Sequence, residues 1–173
     1  KIKKGDLVDE GQILFDLVAD GKECEGKNET EQIDLEKIRP DLYELNERHE
    51  SLLDQNRPKA VARRRKIQAR TARENVTDLC DEGSFFEYGA LAIAAQRRRR
   101  SVEELQIATP ADGMIGGFGT INSVLFGEEK TRCAVLAYDY TVLAGTQGHN
   151  NHKKKDRIFE LAKEWETPVV IFT

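Results

Sequence analysis

Apolar and polar positions follow different rhythms in successive parts of the chain. Near the start, Gly5 and Gly11 punctuate a β-branched and aromatic run, Ile13-Leu14-Phe15-Asp16-Leu17-Val18, which predicts a pair of short strands. Two strands alone are marginal in water, so these require partners. Residues 19–32 are rich in Glu, Lys and Gly, lack periodicity and read as a linker. From Leu35 the apolar positions fall at Ile38, Leu42, Leu45, Leu52 and Leu53, a spacing that predicts an amphipathic helix broken or restarted by Pro40. The helical reading continues from Arg57 to Leu79 through Ala60, Ile67, Ala69, Ala72 and Val76. Asp81-Glu82-Gly83-Ser84 then stops it, with Gly83 suited to a left-handed position.

Phe85, Phe86 and Tyr88 resume as a strand. Beyond Pro110 come two more, Met114 to Ile121 and Arg132 to Asp139, whose apolar runs read as buried sheet. After Thr141-Val142-Leu143 the chain enters the glycine-bearing loop Ala144-Gly145-Thr146-Gln147-Gly148-His149. Ile158, Leu161, Ala162 and Trp165 then stand at i, i+3, i+4 and i+7, which predicts a helix. A final strand, Val169 to Phe172, closes a β-α-β unit.

A chain of 173 residues with 34% charged and 39% hydrophobic residues suits one domain, or one domain and a fragment. No apolar run approaches the ~18 residues of a membrane span, so no membrane partner is expected. Cys24, Cys80 and Cys133 fit neither a disulfide framework nor a metal motif and favour a reducing, cytoplasmic setting. The net charge of -4 conceals blocks: 8 basic against 16 acidic residues over 1–56, 12 against 5 over 57–100, and 7 against 10 over 101–173. Such shifts indicate stretches with different roles. With Lys at the first position and a strand-like run at the last, the chain is expected to be a piece of a larger polypeptide, so the lack of a leader carries no information.

The loop after Val142 holds the most chemistry. A strand feeding a glycine turn and then a helix presents unpaired N–H groups at the positive end of a helix dipole, a place for an anion or a polarised carbonyl. Lys153, Lys154, Lys155 and Arg157 sit at the wrong end of that dipole for the helix itself. This local conflict points to a phosphate-bearing ligand, a nucleotide or coenzyme A, against the plainer reading of a solvated face. His149 and His152 lie at i, i+3 without a third ligand at metal spacing, so capping or ligand hydrogen bonding is preferred to metal. No nucleophile elbow or dinucleotide fingerprint is present. The runs Arg63-Arg64-Arg65-Lys66 and Arg97-Arg98-Arg99-Arg100 lack interleaved aromatics and any reader motif. They are read as a solvated or interdomain-pairing helix face, with no nucleic-acid partner.

Several ordered strings resemble the carboxyltransferase N-terminal domain of biotin-dependent acyl-CoA carboxylases: Arg70-Thr71-Ala72-Arg73-Glu74-Asn75-Val76, Leu79 to Tyr88, Thr109-Pro110-Ala111-Asp112-Gly113, Gly116 to Asn122, and Ala144 to His149 with the three lysines. They span residues 57–173. Lys4-Gly5-Asp6 with Gly11-Gln12-Ile13-Leu14 resembles the second half of a biotinyl carrier domain, and the whole resembles the single-chain long-chain acyl-CoA carboxylases. The resemblance implies carrier residues at 1–18, a helix-bearing linker at 19–56 and part of a crotonase-like α/β superhelix of β-β-α units at 57–173. It implies transfer of a carboxyl group from carboxybiotin to the α-carbon of an acyl-CoA, with backbone oxyanion holes rather than a side-chain nucleophile.

The resemblance assigns Ala144, Gly145, Thr146, Gly148, His149, Lys153, Lys154 and Lys155 to coenzyme A binding, with the lysines at its phosphates. The biotinylated lysine is expected upstream of Lys1, so Lys1, Lys3 and Lys4 are not biotinylated. The oxyanion glycines are expected after Thr173, no metal ligand is expected, and the piece alone is expected to be inactive. Implied cofactors are biotin on the carrier, and ATP, bicarbonate and a divalent metal at a biotin carboxylase domain. Implied partners are the biotinyl and biotin carboxylase domains of the same chain and a second carboxyltransferase half from a neighbouring subunit, in a homo-oligomer, a hexamer. The alternatives are a biotin-dependent acyl-CoA decarboxylase and a non-catalytic assembly segment in which the helices at 35–79 dock domains together.

Overall fold

A computed structural model describes residues 37–173, and from Ile38 onward these form one compact unit. The strands expected at 5–18, the linker at 19–32, the carrier fragment and Cys24 lie outside the described residues. Helix α1 (Pro40–Glu50) begins at Pro40, whose fixed φ suits a first helical position where no N–H is needed. Pro40 therefore starts the helix that the spacing predicts. Its apolar row, Ile38, Leu42 and Leu45, is exposed, while Leu52 just beyond it is buried.

The continuous helix expected from Arg57 to Leu79 is two helices, α2 (Pro58–Lys66) and α3 (Ala72–Leu79). The reason is local. Gln68 takes a left-handed φ of 54°, and the N–H groups of Gln68 and Ala69 return to the carbonyls of Arg65 and Arg64, so α2 closes in a Schellman turn without a glycine. The run Arg63-Arg64-Arg65-Lys66 sits in the last turn of α2, where the helix dipole favours cations. Thr71 then opens α3 with a capping box: its hydroxyl accepts from Glu74 N–H at 3.1 Å, and the Glu74 carboxylate accepts from Thr71 N–H at 2.8 Å.

After strand β1 (Phe86–Glu87) and helix α4 (Val102–Ala108), strand β2 (Met114–Thr120) pairs antiparallel with β3 (Arg132–Tyr138) across the short helices α5 (Ser123–Phe126) and α6 (Glu128–Thr131). Helix α7 (His149–Glu164) crosses over so that β4 (Val169–Phe172) lies parallel to β3, giving the sheet order β1-β2-β3-β4. Gly117, Phe118 and Gly119 are thus strand residues. Period-two alternation gives the sheet two buried faces. Ile115, Cys133, Val135 and Ala137 meet Ala72 and Val76 of α3 and Cys80 just after it, while Met114, Ala134 and Leu136 meet Ile158 and Ala162 of α7. Of the four residues whose spacing predicts α7, Ile158 and Ala162 are buried and Leu161 is half-buried, while Trp165 stands just past the helix and is exposed.

Arginines attach the N-terminal helices to the sheet. Arg57 donates to Asp139 at 2.8 Å and to the Thr141 hydroxyl at 2.9 Å; Arg73 donates to Glu87 at 2.9 Å and to the Leu52 carbonyl at 2.8 Å. Arg48 reaches the Leu91 carbonyl at 3.3 Å. Both Arg57–Asp139 and Arg73–Glu87 are largely withdrawn from solvent, where a pair broken on one side leaves an uncompensated charge. Arg57→Met is accordingly expected to lower stability by roughly 3 kcal/mol, read as a shift of the urea midpoint. A loss too small to move that midpoint would mean that the helices are held by other contacts.

Candidate functional site

The predicted loop leaves β3 through a strained turn. Leu143, Ala144 and Gly145 have φ of 46°, 54° and 76°, and a second run of three left-handed residues, Ala111, Asp112 and Gly113 at 53°, 46° and 75°, leads into β2. Such runs persist only where their surroundings over-determine them, and strain of this kind gathers at ligand clamps. Here the supports are hydrogen bonds: Asp139 N–H donates to the Gly113 carbonyl at 2.9 Å, Asp112 N–H to the Ala92 carbonyl at 3.0 Å, and Gly145 N–H to the Val142 carbonyl at 2.9 Å. The Asp139 carboxylate accepts from Thr141 N–H at 2.9 Å and from Arg57. Burial alone pushes this carboxyl up, but the Thr141 hydroxyl and the Arg57 guanidinium outweigh it and hold the group below the usual carboxylate range.

The start of α7 is already occupied by an anion from the same chain. Asp112 accepts from Asn151 N–H through Oδ2 at 2.7 Å, and the Asn151 side-chain amide donates to the Asp112 carbonyl at 3.0 Å. Gly148, the residue before the helix, makes this possible: a Cβ there would stand 2.9 and 3.0 Å from the two Asp112 carboxylate oxygens. Both polar side chains are buried, Asp112 with 1% and Asn151 with 0% exposure, and the Oδ1 atom of each has no partner. Burial raises the Asp112 carboxyl above its ordinary value, against the opposing pull of the Asn151 N–H and Lys154. The helix dipole expected to await a ligand phosphate is in part satisfied internally.

The three lysines divide. Lys153 is exposed, and Lys155 is half-buried with its Nζ donating to Gln147 Oε1 at 3.2 Å. Lys154 turns inwards with 4% exposure, and its Nζ donates to the carbonyls of Ala111 at 2.9 Å, Gly89 at 3.4 Å and Met114. Its expected place among phosphate-facing cations is therefore corrected: burial removes it from any surface anion. The signal was in the sequence, because Asn151, Lys154 and Ile158 continue at spacings of three and four the stripe that contains Ala162. Ala144, Thr146, His149 and His152 are exposed, and Gly145 and Gly148 are half-buried.

Sequence reasoning left the second arginine run out of the site, and the structure brings it there. Asn150 of α7 donates through Nδ2 to the Ile93 carbonyl at 2.7 Å, and beside this contact opens a cavity of about 630 Å³ lined by Ile93, Ala94, Arg97, Arg98, Arg99 and Asn150. The guanidinium-bearing side chains are exposed. Nothing in their spacing says which part of the fold the loop approaches. Among the described residues no group of three His, Cys, Asp or Glu is arranged to hold a metal, and no helix is long and apolar enough to cross a membrane.

No protein-family model matches the sequence. A single-chain, multi-domain long-chain acyl-CoA carboxylase of known structure is 56% identical, with a TM-score of 0.76, over 79% of this chain and 14% of its own. The biotin-dependent long chain acyl-coenzyme A carboxylase beta4 subunit of Mycobacterium tuberculosis is 33% identical over 129 residues, 75% of this chain and 22% of that protein. Transcarboxylase 12S, whose crystal structure shows a hexamer assembly, is 25% identical with a TM-score of 0.61, over 76% of this chain and 24% of its own. The chain spans about a fifth of the length of the curated relatives it matches. Its homologues are acyl-CoA and propionyl-CoA carboxylase beta subunits, and its α/β unit with a mixed sheet has the fold of carboxyltransferase structures.

Two outcomes test this geometry. Gly148→Ala is expected to cost about 1–3 kcal/mol in urea unfolding, by forcing Asp112 off the helix; an unchanged midpoint would mean that the cap yields freely. Burial holds the Lys154 ammonium down at about 8, below the 10.5 of an unfolded lysine, so between these values the unfolded chain binds the extra proton. This group's share of stability is therefore most unfavourable below pH 8 and improves as pH rises from about 8 to 10.5. The difference in unfolding free energy between the unmodified protein and Lys154→Met should rise over that window, and a flat difference would contradict the burial.

Proposed function

We propose that this chain, a homologue of acyl-CoA carboxylase carboxyltransferase subunits, is the opening part of the carboxyltransferase in a biotin-dependent acyl-CoA carboxylase. The observation that carries this is the 56% identity to the single-chain long-chain enzyme over 79% of the chain. In this reading residues 57–173 begin the transferase, 19–56 link it to the carrier and 1–18 end the carrier. The whole enzyme moves a carboxyl group from the ureido nitrogen of carboxybiotin to the α-carbon of an acyl-CoA, which loses a proton. Biotin rides on the carrier; ATP, bicarbonate and a divalent metal serve a biotin carboxylase domain of the same polypeptide. A second transferase half comes from a neighbouring subunit of a cytoplasmic homo-oligomer, a hexamer, and the piece alone is inactive.

What the described residues contribute is reception of coenzyme A. The loop at 144–149 offers backbone at the mouth of α7. Lys153 and Lys155, with Arg97, Arg98 and Arg99 around the neighbouring cavity, offer cations to the coenzyme's phosphates. The exposed row Ile38, Leu42 and Leu45 favours an added docking role for the α1 segment, which is compatible with this reading.

In the full-length enzyme, reversing charge at Lys153 with Arg98 is expected to raise KM for acyl-CoA roughly tenfold, about 1.4 kcal/mol, while the biotin carboxylation half-reaction keeps its rate. An unchanged KM would remove these cations from the coenzyme A site. A full-length polypeptide that is not biotinylated would overturn the fused-carrier reading.

A further inference from the structure

We propose that Lys154 is a positioning residue for acyl-CoA: seated on the carbonyls of Ala111, Gly89 and Met114, it locks the left-handed turn at 111–113 against α7 and so fixes where α7 presents the loop before it. The inference rests on the reading that this loop receives coenzyme A. The first argument is convergence. Three carbonyls from two separate backbone segments aim at one ammonium that is 4% exposed. Lys154 belongs to α7, Gly89 follows β1, and Ala111 and Met114 bracket the turn that carries Asp112. One side chain thus ties a helix to the sheet's entry at two places.

The second argument is that a stable core does not need a lysine here. Burying an ammonium is costly, and an apolar side chain of similar length would fill the same stripe without that charge, giving up only the donor to the three carbonyls. The turn it holds is the strained one: Ala111 and Asp112 occupy left-handed backbone without being glycine, and their carbonyls are used by Lys154 and Asn151 respectively. The backbone has been brought close for the purpose. A Cβ on Gly89 would stand 2.8 Å from Lys154 Cδ, so only a glycine admits the lysine stem.

The third argument is directional coupling. Asp112 is the next residue after Ala111, and its carboxylate accepts from Asn151 N–H in the first turn of α7. Its Oδ1 and the Oδ1 of Asn151 are buried without partners, so this junction is held by few contacts, each of which matters. The charged neighbours of the ammonium are Asp112 on the turn, and Glu87 on β1, which is itself paired with Arg73. None of these donates to or accepts from the lysine directly, so the carbonyl seat alone fixes its place.

The test uses the full-length carboxylase with Lys154→Met and Lys154→Arg, following hydrogen exchange at the amides of 149–152, KM and kcat with acyl-CoA, and carboxylation of free biotin. Lys154→Met is expected to speed exchange at those amides at least tenfold and raise KM five- to twentyfold, with kcat within about twofold and biotin carboxylation unchanged. Lys154→Arg, which keeps a cation, should restore part of the KM. Unchanged exchange and KM overturn the proposal, as does a fall in kcat at constant KM, the mark of a smaller folded fraction. Faster exchange with an unchanged KM upholds the positioning of α7 and removes coenzyme A from its loop. If Lys154→Met does not fold, Asp112→Asn is read in the same way, since it keeps an acceptor for Asn151 N–H and takes away one of the two counter-charges beside the ammonium.

Discussion

A carboxylate and an ammonium withdrawn from water set the geometry around which this unit is built. Asp112 and Lys154 come from opposite sides of one junction, the turn into β2 and the first turns of α7, and neither can be left buried without hydrogen-bonding partners. The demand for partners dictates backbone. It draws the Gly89 carbonyl against the lysine, places Gly148 where a side chain would strike the carboxylate, and stabilises a run of left-handed residues that polypeptide otherwise avoids. The loop that leads into α7 inherits its position from these constraints. Its own three left-handed residues, Leu143, Ala144 and Gly145, mirror the turn that supports it.

Charge has a second, separate use among the arginines. The basic block of the sequence divides between two tasks that composition cannot separate. Arg57 and Arg73 pair with Asp139 and Glu87 and fasten helices to the sheet, whereas Arg97, Arg98 and Arg99 stay in solvent beside α7. The first group spends its donors on protein carboxylates and carbonyls. The second retains them, which makes it available to a ligand.

Much of the fold was legible because its elements obey simple periods. The stripe Ile158, Leu161, Ala162 and Trp165 announced α7, and the apolar runs 114–121 and 132–139 announced two buried strands, whose antiparallel pairing comes from the structure. The break after Lys66 was missed because the residue at the left-handed position is Gln68 rather than glycine. The restart was nonetheless written in the capping box Thr71-Ala72-Arg73-Glu74. The site was legible as a loop but not as a set of side chains. Adjacent lysines look alike in a string, and only the helical phase of Lys154, four residues before Ile158, distinguishes the one that enters the core. The approach of the arginine loop to Asn150 depends on a contact across 57 residues, which no local pattern encodes.

The strand order also prescribes a sequence of events in time. The β2–β3 hairpin closes over the short connection 121–131, so its ladder can form as soon as both strands have been synthesised. Strand β4 pairs with β3 only after the 16 residues of α7 have been made and have crossed the sheet. During that interval one edge of β3 stands open, with the apolar residues Ala134, Leu136, Val135 and Ala137 on its two faces. Packing of α7 on Met114, Ala134 and Leu136 is what brings β4 to that edge. Until α7 has been made and has docked, that edge of a nascent chain is open to pairing with a neighbour.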